Sequence, residues 1–352
     1  MHAQRRVRLG ERLGEARVDA LLVTRPVNVR WLTGFTGSAG SCLVRPDGSC
    51  LLVTDGRYAE QAAAQAADVE LVVDRTRAWL PGRLGGGRLG VESHDLSWDV
   101  ALQLAAELGE DRIVPTLRHV ETLRQTKDAG ELELIRQACA VTSTAFEALL
   151  GWLKPGMTEV EAARRLRGEL EALGAEGLAF DTILASGPNS ARPHHRPAER
   201  RLERGDLVKI DFGACVGGYC ADMTRTVALG FVAPELRRVH ELVRQAQAVG
   251  VAAARPGVTA GDVDAACRDV IDAAGHGDRF VHGTGHGLGL EIHEQPILSR
   301  GSPVTLTARM TVTVEPGVYL PGVGGVRIED VVVVLPSGPQ ALTTATTELV
   351  VL

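Results

Sequence analysis

The chain has 352 residues, which is enough for two domains with a substantial core. Hydrophobic residues make up 45% and charged residues 23%, values that exclude wholesale disorder and a fibrous design. The net charge is −6 and lysine and arginine form no dense runs, so the basic surface typical of nucleic-acid binding is missing.

Two further features indicate a cytoplasmic protein. No uncharged apolar run approaches the roughly 18 residues of a membrane span, and no apolar signal segment follows the first residues. The six cysteines are scattered without CxxC pairs, far below the density of a disulfide scaffold. We therefore expect reduced thiols, no membrane partner and a cytoplasmic location.

The first 122 residues alternate helical and strand patterns, which predicts a small α/β domain. A turn at 45–48 joins two of its strands as a hairpin. The expected elements are a helix at 6–17, strands at 20–24, 41–44 and 50–54, a helix at 58–67, strands at 70–73 and 89–91, and a helix at 97–108.

Residues 123–352 predict a larger domain of mixed helices and strands, of the α+β class. Thr259 is the expected N-cap of the last of its helices. The expected elements are helices at 129–153 and 158–173, strands at 207–212 and 219–227, helices at 234–254 and 260–274, and strands at 310–314 and 325–334.

Four carboxylates lie in strand patterns of this second domain that otherwise demand burial. A hairpin could bring Asp211 and Asp222 face to face. Alternation puts Glu315 on the polar face of its strand, and Glu329 shares a face with Arg327. Like charges so close together are tolerated around cations or in an acid/base dyad, which predicts a metal site or a catalytic one.

A glycine-rich segment at 282–294 carries three histidines. Its alternating glycines make a helix costly, so an extended or looping chain is expected. One histidine could bind a metal while the other two transfer protons or donate hydrogen bonds. A rigid, proline-punctuated loop at 186–197 adds a further candidate site; for His195 within it, an ordinary surface position is an equal alternative.

Other catalytic motifs are absent or misplaced. Gly85–Gly90 fits GxGxxG but leads into a predicted strand, whereas a dinucleotide site needs a helix there. Neither a GxSxG elbow nor a GxxxxGK[ST] loop occurs, so serine-hydrolase and phosphoryl-transfer chemistry lack their machinery. Cys220 could reach a metal beside Asp222, but burial as a small hydrophobe is the expected outcome.

Together these segments resemble a known family, the pita-bread metallopeptidases. The blocks that carry the resemblance are 210–213, 221–226, 282–293, 314–317 and 327–330, within 124–352. Residues 28–35 and 54–58 resemble the creatinase/prolidase N-terminal domain, which methionine aminopeptidases lack. The resemblance implies an α/β creatinase-type domain over 1–122 and a pita-bread catalytic domain over 123–352.

The resemblance also implies a ligand set for two metal ions. In it Asp211 chelates one ion, Asp222 and Glu329 bridge both, and His286 with Glu315 completes the second. Glu315 is also placed to accept a proton from water. Two divalent ions are implied, with manganese favoured and cobalt or zinc possible.

Further catalytic roles are carried over in the same way. His194, His282 and His293 correspond to histidines that hold the substrate and shuttle protons to the leaving group. Arg327 would orient Glu329 or the substrate.

The activity implied is metal-dependent hydrolysis of the Xaa-Pro bond. Because creatinase shares the fold but lacks this ligand set, the pattern favours a peptidase. An Xaa-Pro dipeptidase (prolidase) is the first choice, and aminopeptidase P, acting on longer peptides, is the alternative. A pita-bread binding protein without turnover is the third reading. The expected partners are Xaa-Pro dipeptides or short peptides and a second copy of the chain in a homodimer.

Overall fold

The computed structural model describes residues 1–352, which divide into two compact units, Met1–Arg124 and Gln125–Leu352. None of the helices combines the length and apolarity needed to cross a membrane. The helices are α1 His2–Ala16, α2 Pro26–Thr33, α3 Ala59–Gln65, α4 Trp79–Leu84, α5 Trp98–Leu108, α6 His119–Arg124, α7 Ala129–Leu150, α8 Glu159–Ala172, α9 Pro234–Ala253 and α10 Ala260–Ala273.

Nineteen strands accompany these helices, many of them short. They are β1 Ala20–Val23, β2 Gly40–Val44, β3 Cys50–Thr54, β4 Glu70–Val73, β5 Leu89–Glu92, β6 Ile113–Thr116, β7 Gly177–Leu178, β8 Ile183–Ser186, β9 Leu207–Phe212, β10 Ala214–Val216, β11 Tyr219–Cys220, β12 Met223–Ala228, β13 Gly285–Gly287, β14 Glu294–Leu298, β15 Thr311–Val314, β16 Gly317–Leu320, β17 Gly324–Arg327, β18 Asp330–Leu335 and β19 Gly338–Ala341.

The N-terminal unit is built on one six-stranded sheet with the order β4-β3-β2-β1-β5-β6. Only β2 runs antiparallel to its neighbours, because a tight turn closed by the Gly48 N–H on the Arg45 carbonyl returns the chain into β3. Leu22, Leu43 and Leu104 are buried in its core. The glycine-rich segment at 85–90 follows α4 and leads into β5, so it lacks the strand-then-helix order of a dinucleotide site.

The C-terminal unit holds two larger groups of strands, each covered by a pair of helices. Helices α7 and α8 pack on the sheet β12-β9-β8, where Phe146 and Leu166 meet Phe212. Helices α9 and α10 cover the sheet β14-β13-β15-β18-β19 and the hairpin β16-β17, and Val243 and Val312 lie in that core. The helices keep one face of the strands dry, which leaves the strand ends free to carry polar groups.

Three of the four helices in this unit begin with a reciprocal capping box. Asp128, Thr158 and Thr259 accept from the backbone N–H three residues on, and the acid at that position bonds back to the cap. Thr259 is therefore the N-cap of α10, as the sequence predicts. These caps fix where α7, α8 and α10 start.

Two predicted strands are interrupted where the carboxylates lie. The strand expected at 219–227 breaks into β11 and β12, with Asp222 in the gap. The strand expected at 325–334 breaks into β17 and β18 around Ile328 and Glu329. Asp222 and Glu329 therefore lie outside the regular strand pairing. Both side chains join the same group of residues around His286.

A buried histidine makes the stability of the C-terminal unit depend on pH. His240 on α9 is 3% exposed, and burial lowers its pKa to about 4 from an ordinary 6.5. The folded state therefore disfavours the proton that the unfolded chain binds, and stability falls as the pH drops from 6.5 toward 4. A hydrogen bond to the Thr226 backbone and the charge of Glu241 oppose this shift only in part.

We predict that His240→Gln removes this part of the acid sensitivity. Between pH 6.5 and pH 4 the wild type should lose on the order of 3 kcal/mol more unfolding free energy than the variant. Urea unfolding at both pH values measures the difference. Equal losses in the two proteins would show that His240 is protonated without cost in the folded state.

Candidate metal centre and active site

The first two carboxylates come from the hairpin formed by β9 and β12. Asp211 lies on β9 directly opposite Thr224, and Phe212 lies opposite Met223. Asp222 lies in the gap just before β12 and is in electrostatic contact with Asp211. The sequence expectation that the two acids stand face to face is therefore wrong, because Thr224, two residues beyond Asp222, lies opposite Asp211.

The histidine ligand candidate stands on a strand made possible by its glycines. A Cβ on Gly285 would lie 2.0 Å from the Thr313 carbonyl oxygen, and one on Gly287 would lie 2.3 Å from that of Gln295. The chain is extended here, as predicted, with a bulge in its pairing between His286 and Gly287. The bulge and the close packing set the position of the His286 ring.

Glu315 follows the end of β15, Glu329 lies between β17 and β18, and both approach His286 and Asp222. The Nε2 atom of His286 lies 3.5 Å from Oε1 of Glu315 and 3.6 Å from Oδ2 of Asp222. One ligand atom each of Asp222, His286 and Glu329 lies within 4.8 Å of the other two. Five side chains distant in sequence thus meet in one cluster, with Asp211 as the fifth.

Burial and mutual repulsion dominate the electrostatics of the cluster. Burial raises the pKa of Asp222, and the charges of Glu329 and Asp211 raise it further. Burial also raises the pKa of Glu315, to about 7, and together with the charge of Glu315 it raises the pKa of Glu329. Keeping these carboxylates ionised and close together costs folding free energy, and a nearby cation would remove that cost.

The donor set fits divalent metal ions. Oδ1 of Asp211 and Oε1 of Glu329 are buried and have no hydrogen-bond partner. Nδ1 of His286 lies 3.0 Å from the Gly287 carbonyl, so it carries the proton and leaves the Nε2 lone pair facing the carboxylates. Unpartnered oxygens and one aimed imidazole are what a metal site requires.

Arg327 is the cation inside this cluster. Its guanidinium pairs with Asp211 and donates to the Tyr319 hydroxyl at 3.0 Å. It also donates to Oγ1 of Thr224 at 3.0 Å, and that hydroxyl donates to Glu329 at 2.7 Å. Contact between Arg327 and Glu329 therefore runs through Thr224.

The histidines expected on the substrate side surround the same space. His282 bonds to the Tyr319 hydroxyl at 2.8 Å, and burial lowers its pKa to about 3. The ring of His293 stands edge-on to His286, with 4.3 Å between centroids. His194 is exposed and, with the other histidines and the acid cluster, lines a cavity of about 970 Å³.

Two residues beneath the site do not stand out in the sequence. Glu159 is fully buried and accepts a hydrogen bond from Nε2 of His195 at 2.8 Å, so His195 is a buried residue and not a surface one. Lys209 is also fully buried and donates to the carbonyls of Ser190 and Pro193 at 3.1 and 3.2 Å. Lys209 could have been identified from the sequence, because it is a lysine within an otherwise apolar strand pattern.

Comparison with known proteins gives a consistent result along the whole chain. Residues 133–336 match the model of metallopeptidase family M24, and residues 5–126 match the creatinase/prolidase N-terminal domain. The chain belongs to metallopeptidase family M24. It has a creatinase-type N-terminal domain followed by the pita-bread fold of that family, and the family implies a metal-dependent enzyme with divalent ions.

Relatives of known name cover nearly all of the chain. The Xaa-Pro dipeptidase of Pyrococcus furiosus is 35% identical over 339 residues, 96% of this chain and 97% of the relative. Among solved structures, the Xaa-Pro dipeptidase from Bacillus anthracis has a TM-score of 0.94 at 37% identity, with full coverage of both chains. The X-Pro aminopeptidase from Thermotoga maritima has a TM-score of 0.91 at 35% identity, covering 99% of each chain.

The acid cluster leads to a prediction about the metal-free protein. Asp222→Asn removes one buried charge, so the apo protein should become more stable, by about 2–4 °C in melting temperature for each kcal/mol of repulsion relieved. The same variant should lose most of the stabilisation that manganese gives to the wild type. Thermal unfolding with chelator and with manganese measures both effects.

Asp181, an exposed acid that lines the cavity outside the cluster, supplies the matched control. Asp181→Asn should leave both melting temperatures unchanged. An Asp222→Asn protein that is less stable without metal but gains as much from manganese as the wild type would contradict the assignment.

Proposed function

We propose that this chain is an Xaa-Pro dipeptidase, which hydrolyses the peptide bond before proline with the help of two divalent metal ions. The observation that carries the proposal is the cluster of four carboxylates and one imidazole, all but Glu315 buried, beside a histidine-lined cavity. Membership of family M24 and the dipeptidases among its near relatives support the same activity.

The residues proposed to hold the ions are the five of the cluster. Asp211 would hold one ion, Asp222 and Glu329 would bridge both, and His286 with Glu315 would hold the other. When bound, such ions polarise a carbonyl and lower the pKa of water toward neutrality. Manganese is the favoured metal, because the donors are mostly hard oxygens.

The remaining roles fall to side chains around the cavity. Glu315 would accept the proton of the attacking water. His194, His282 and His293 hold the substrate and return a proton to the proline nitrogen as it leaves. Arg327 holds Asp211 in place and, through Thr224, orients Glu329.

An aminopeptidase acting on longer Xaa-Pro peptides is the second candidate. It is supported by the likeness to the X-Pro aminopeptidase from Thermotoga maritima and by a cavity at the upper end of the range for small-molecule sites. We also propose a cytoplasmic homodimer. Free cysteines, five of the six buried, suit a reducing compartment.

The activity is tested with Ala-Pro, Leu-Pro and a longer Xaa-Pro peptide, each with chelator and with added manganese. We expect metal-dependent cleavage of both dipeptides and slower cleavage of the longer peptide. Preference for the longer peptide would favour the aminopeptidase reading. If none of the three is cleaved at any metal concentration, the chain is a binding protein and the proposal fails.

The histidine roles are tested by separating metal content from turnover. His293→Ala should keep its metal and its fold while kcat falls by about 10² to 10⁴, the usual contribution of a positioned acid or base. His276→Ala, at a histidine outside the cavity lining, is the control and should change neither quantity. Loss of metal in step with activity in the His282 and His293 variants would make these histidines ligands instead.

A further inference from the structure

Two cysteines face each other across the hairpin formed by β10 and β11. Cys215 on β10 lies directly opposite Cys220 on β11. Side chains that are directly opposite in an antiparallel pair lie on the same face of the sheet. The two thiols are accordingly in hydrogen-bond contact with each other. All six cysteines of the chain are free, so this is a pair of thiols ready to be joined.

The backbone around the pair suits a disulfide between the two strands. The N–H of Ala221 donates to the Ala214 carbonyl at 2.9 Å, whereas the N–H of Cys220 donates to the Gly289 carbonyl at 2.8 Å and not to Cys215. The two cysteines therefore form a non-hydrogen-bonded pair, in which Cα atoms lie about 4.5 Å apart. Disulfides span Cα separations of about 4.4 to 6.8 Å, so the bond fits.

Glycines at both ends of the hairpin keep the cysteines in register. Gly217 and Gly218 form the two-residue turn, with φ of 56° and 77°, the left-handed conformation that a type I′ turn requires. At the other end, a Cβ on Gly213 would lie 1.8 Å from the Ala221 carbonyl oxygen, so the chain segments approach closely there. The tight turn and the close approach fix the register that brings the thiols together.

The two thiols differ in their access to solvent. Cys215 is partly exposed, whereas Cys220 is 6% exposed. A reagent in solution therefore meets Cys215 first. Cys220 is shielded from the reagent but lies within reach of Cys215, which is the arrangement of an attacking thiol with a resolving thiol behind it.

The buried thiol is connected to the proposed metal site. Cys220 precedes Asp222 by two residues, and the two side chains lie within electrostatic range of each other. The N–H of Cys220 also holds Gly289, two residues beyond the strand that carries His286. A displacement of Cys220 is therefore transmitted toward two of the proposed metal ligands.

Closing the disulfide requires such a displacement. The two sulfur atoms must move from hydrogen-bond contact to a separation of about 2.05 Å. Strand β10 is the central strand of the sheet β11-β10-β7, and the Cys215 carbonyl accepts from the Glu176 N–H at 2.8 Å. Strand β11 is an edge strand of two residues, so closure draws Cys220 toward Cys215.

We propose that Cys215 and Cys220 are a redox-sensitive pair, which a low-molecular-weight disulfide converts into an intramolecular disulfide that weakens metal binding at Asp222. The proposal rests on the metal site of the proposed function and adds a means of regulating it. Disulfides in reducing compartments are usually transient and redox-sensing, which suits a pair that is reduced at rest.

The reaction is a thiol–disulfide exchange in two steps. Sγ of Cys215 loses its proton and attacks one sulfur of the external disulfide, whose S–S bond breaks to release one thiolate. Sγ of Cys220 loses its proton and attacks Sγ of Cys215 in the mixed disulfide, which releases the second thiolate. The two thiolates take up the two protons, so the protein pair is oxidised by two electrons and the external disulfide is reduced by two.

Oxidised glutathione tests the modification. The folded, manganese-loaded protein is incubated with it, and the intact mass is measured. We expect the wild type to lose the mass of two hydrogen atoms and to regain it with a dithiol reductant, and peptide mapping should place the bond between Cys215 and Cys220. A wild type that stays reduced, or a bond between other cysteines, would overturn the proposal.

Single substitutions test the assigned order of attack. Cys220→Ala should stop at the mixed disulfide and keep one glutathione on Cys215. Cys215→Ser should stay unmodified, because the remaining thiol of the pair is buried. Equal oxidation of Cys215→Ser and the wild type would show that other thiols react.

A second pair of cysteines supplies the matched control. The thiols of Cys42 and Cys50 are also in hydrogen-bond contact, but Cys42 lies opposite Leu52, so the two cysteines are diagonal neighbours, and both are buried. Cys42→Ala should form the Cys215–Cys220 disulfide to the same extent as the wild type. A loss of that disulfide in the control variant would contradict the assignment of the reactive pair.

Manganese binding measures the consequence without peptide cleavage. Calorimetry on chelator-treated protein should give a Kd about 10- to 100-fold higher for the oxidised than for the reduced wild type, the usual effect of disturbing groups that support a metal ligand. Cys215→Ser should bind equally well before and after the same treatment. Equal affinities in the two states of the wild type would overturn the proposed regulation.

The same measurements separate this proposal from the proposed function. If the wild type cleaves no Xaa-Pro substrate but forms the disulfide and then binds manganese more weakly, the dipeptidase function fails and the redox-sensitive pair stands. An active dipeptidase that forms no disulfide keeps its function, and the redox proposal fails.

Discussion

The structure of the C-terminal unit depends on how a cluster of four carboxylates, three of them buried, is compensated. Asp211, Asp222, Glu315 and Glu329 share one small space with a single protein cation, Arg327. That cation pairs with Asp211 and lies 3.8 Å from Glu315, which leaves Asp222 and Glu329 without an ion pair to it. Such a cluster is stable in ionised form only with further positive charge, and divalent ions supply it.

Much of the local architecture serves this cluster. Strands β12 and β18 begin just after an acid that has left the ladder, and glycines on both sides of His286 allow the close packing that aims its ring. The helices bury the opposite faces of the sheets and so keep the site's framework rigid. Glu159, a buried carboxylate outside the cluster, is compensated by protein donors instead, among them Ser186 and His195.

The elements and the acids were accessible from sequence because their signals are local. Capped amphipathic helices such as α10 and alternating strands such as β9 follow from periodicity, and a carboxylate inside such a strand is conspicuous. The residues that these acids contact could not be predicted from the sequence. Thr224 faces Asp211 through strand register, and Glu159 meets His195 across 36 residues of chain, contacts that no local pattern encodes. The short helix α2 was missed although Pro26 at its start is a recognised signal.

The central claim is that the acid cluster holds two ions, and anomalous diffraction at the manganese edge tests it most directly. Crystals of the manganese-loaded protein should show two anomalous peaks about 3.5–4 Å apart, both within bonding distance of Asp222 and Glu329. A cluster with no peak, or ions bound by His282 and His293 instead of by the carboxylates, would contradict the account.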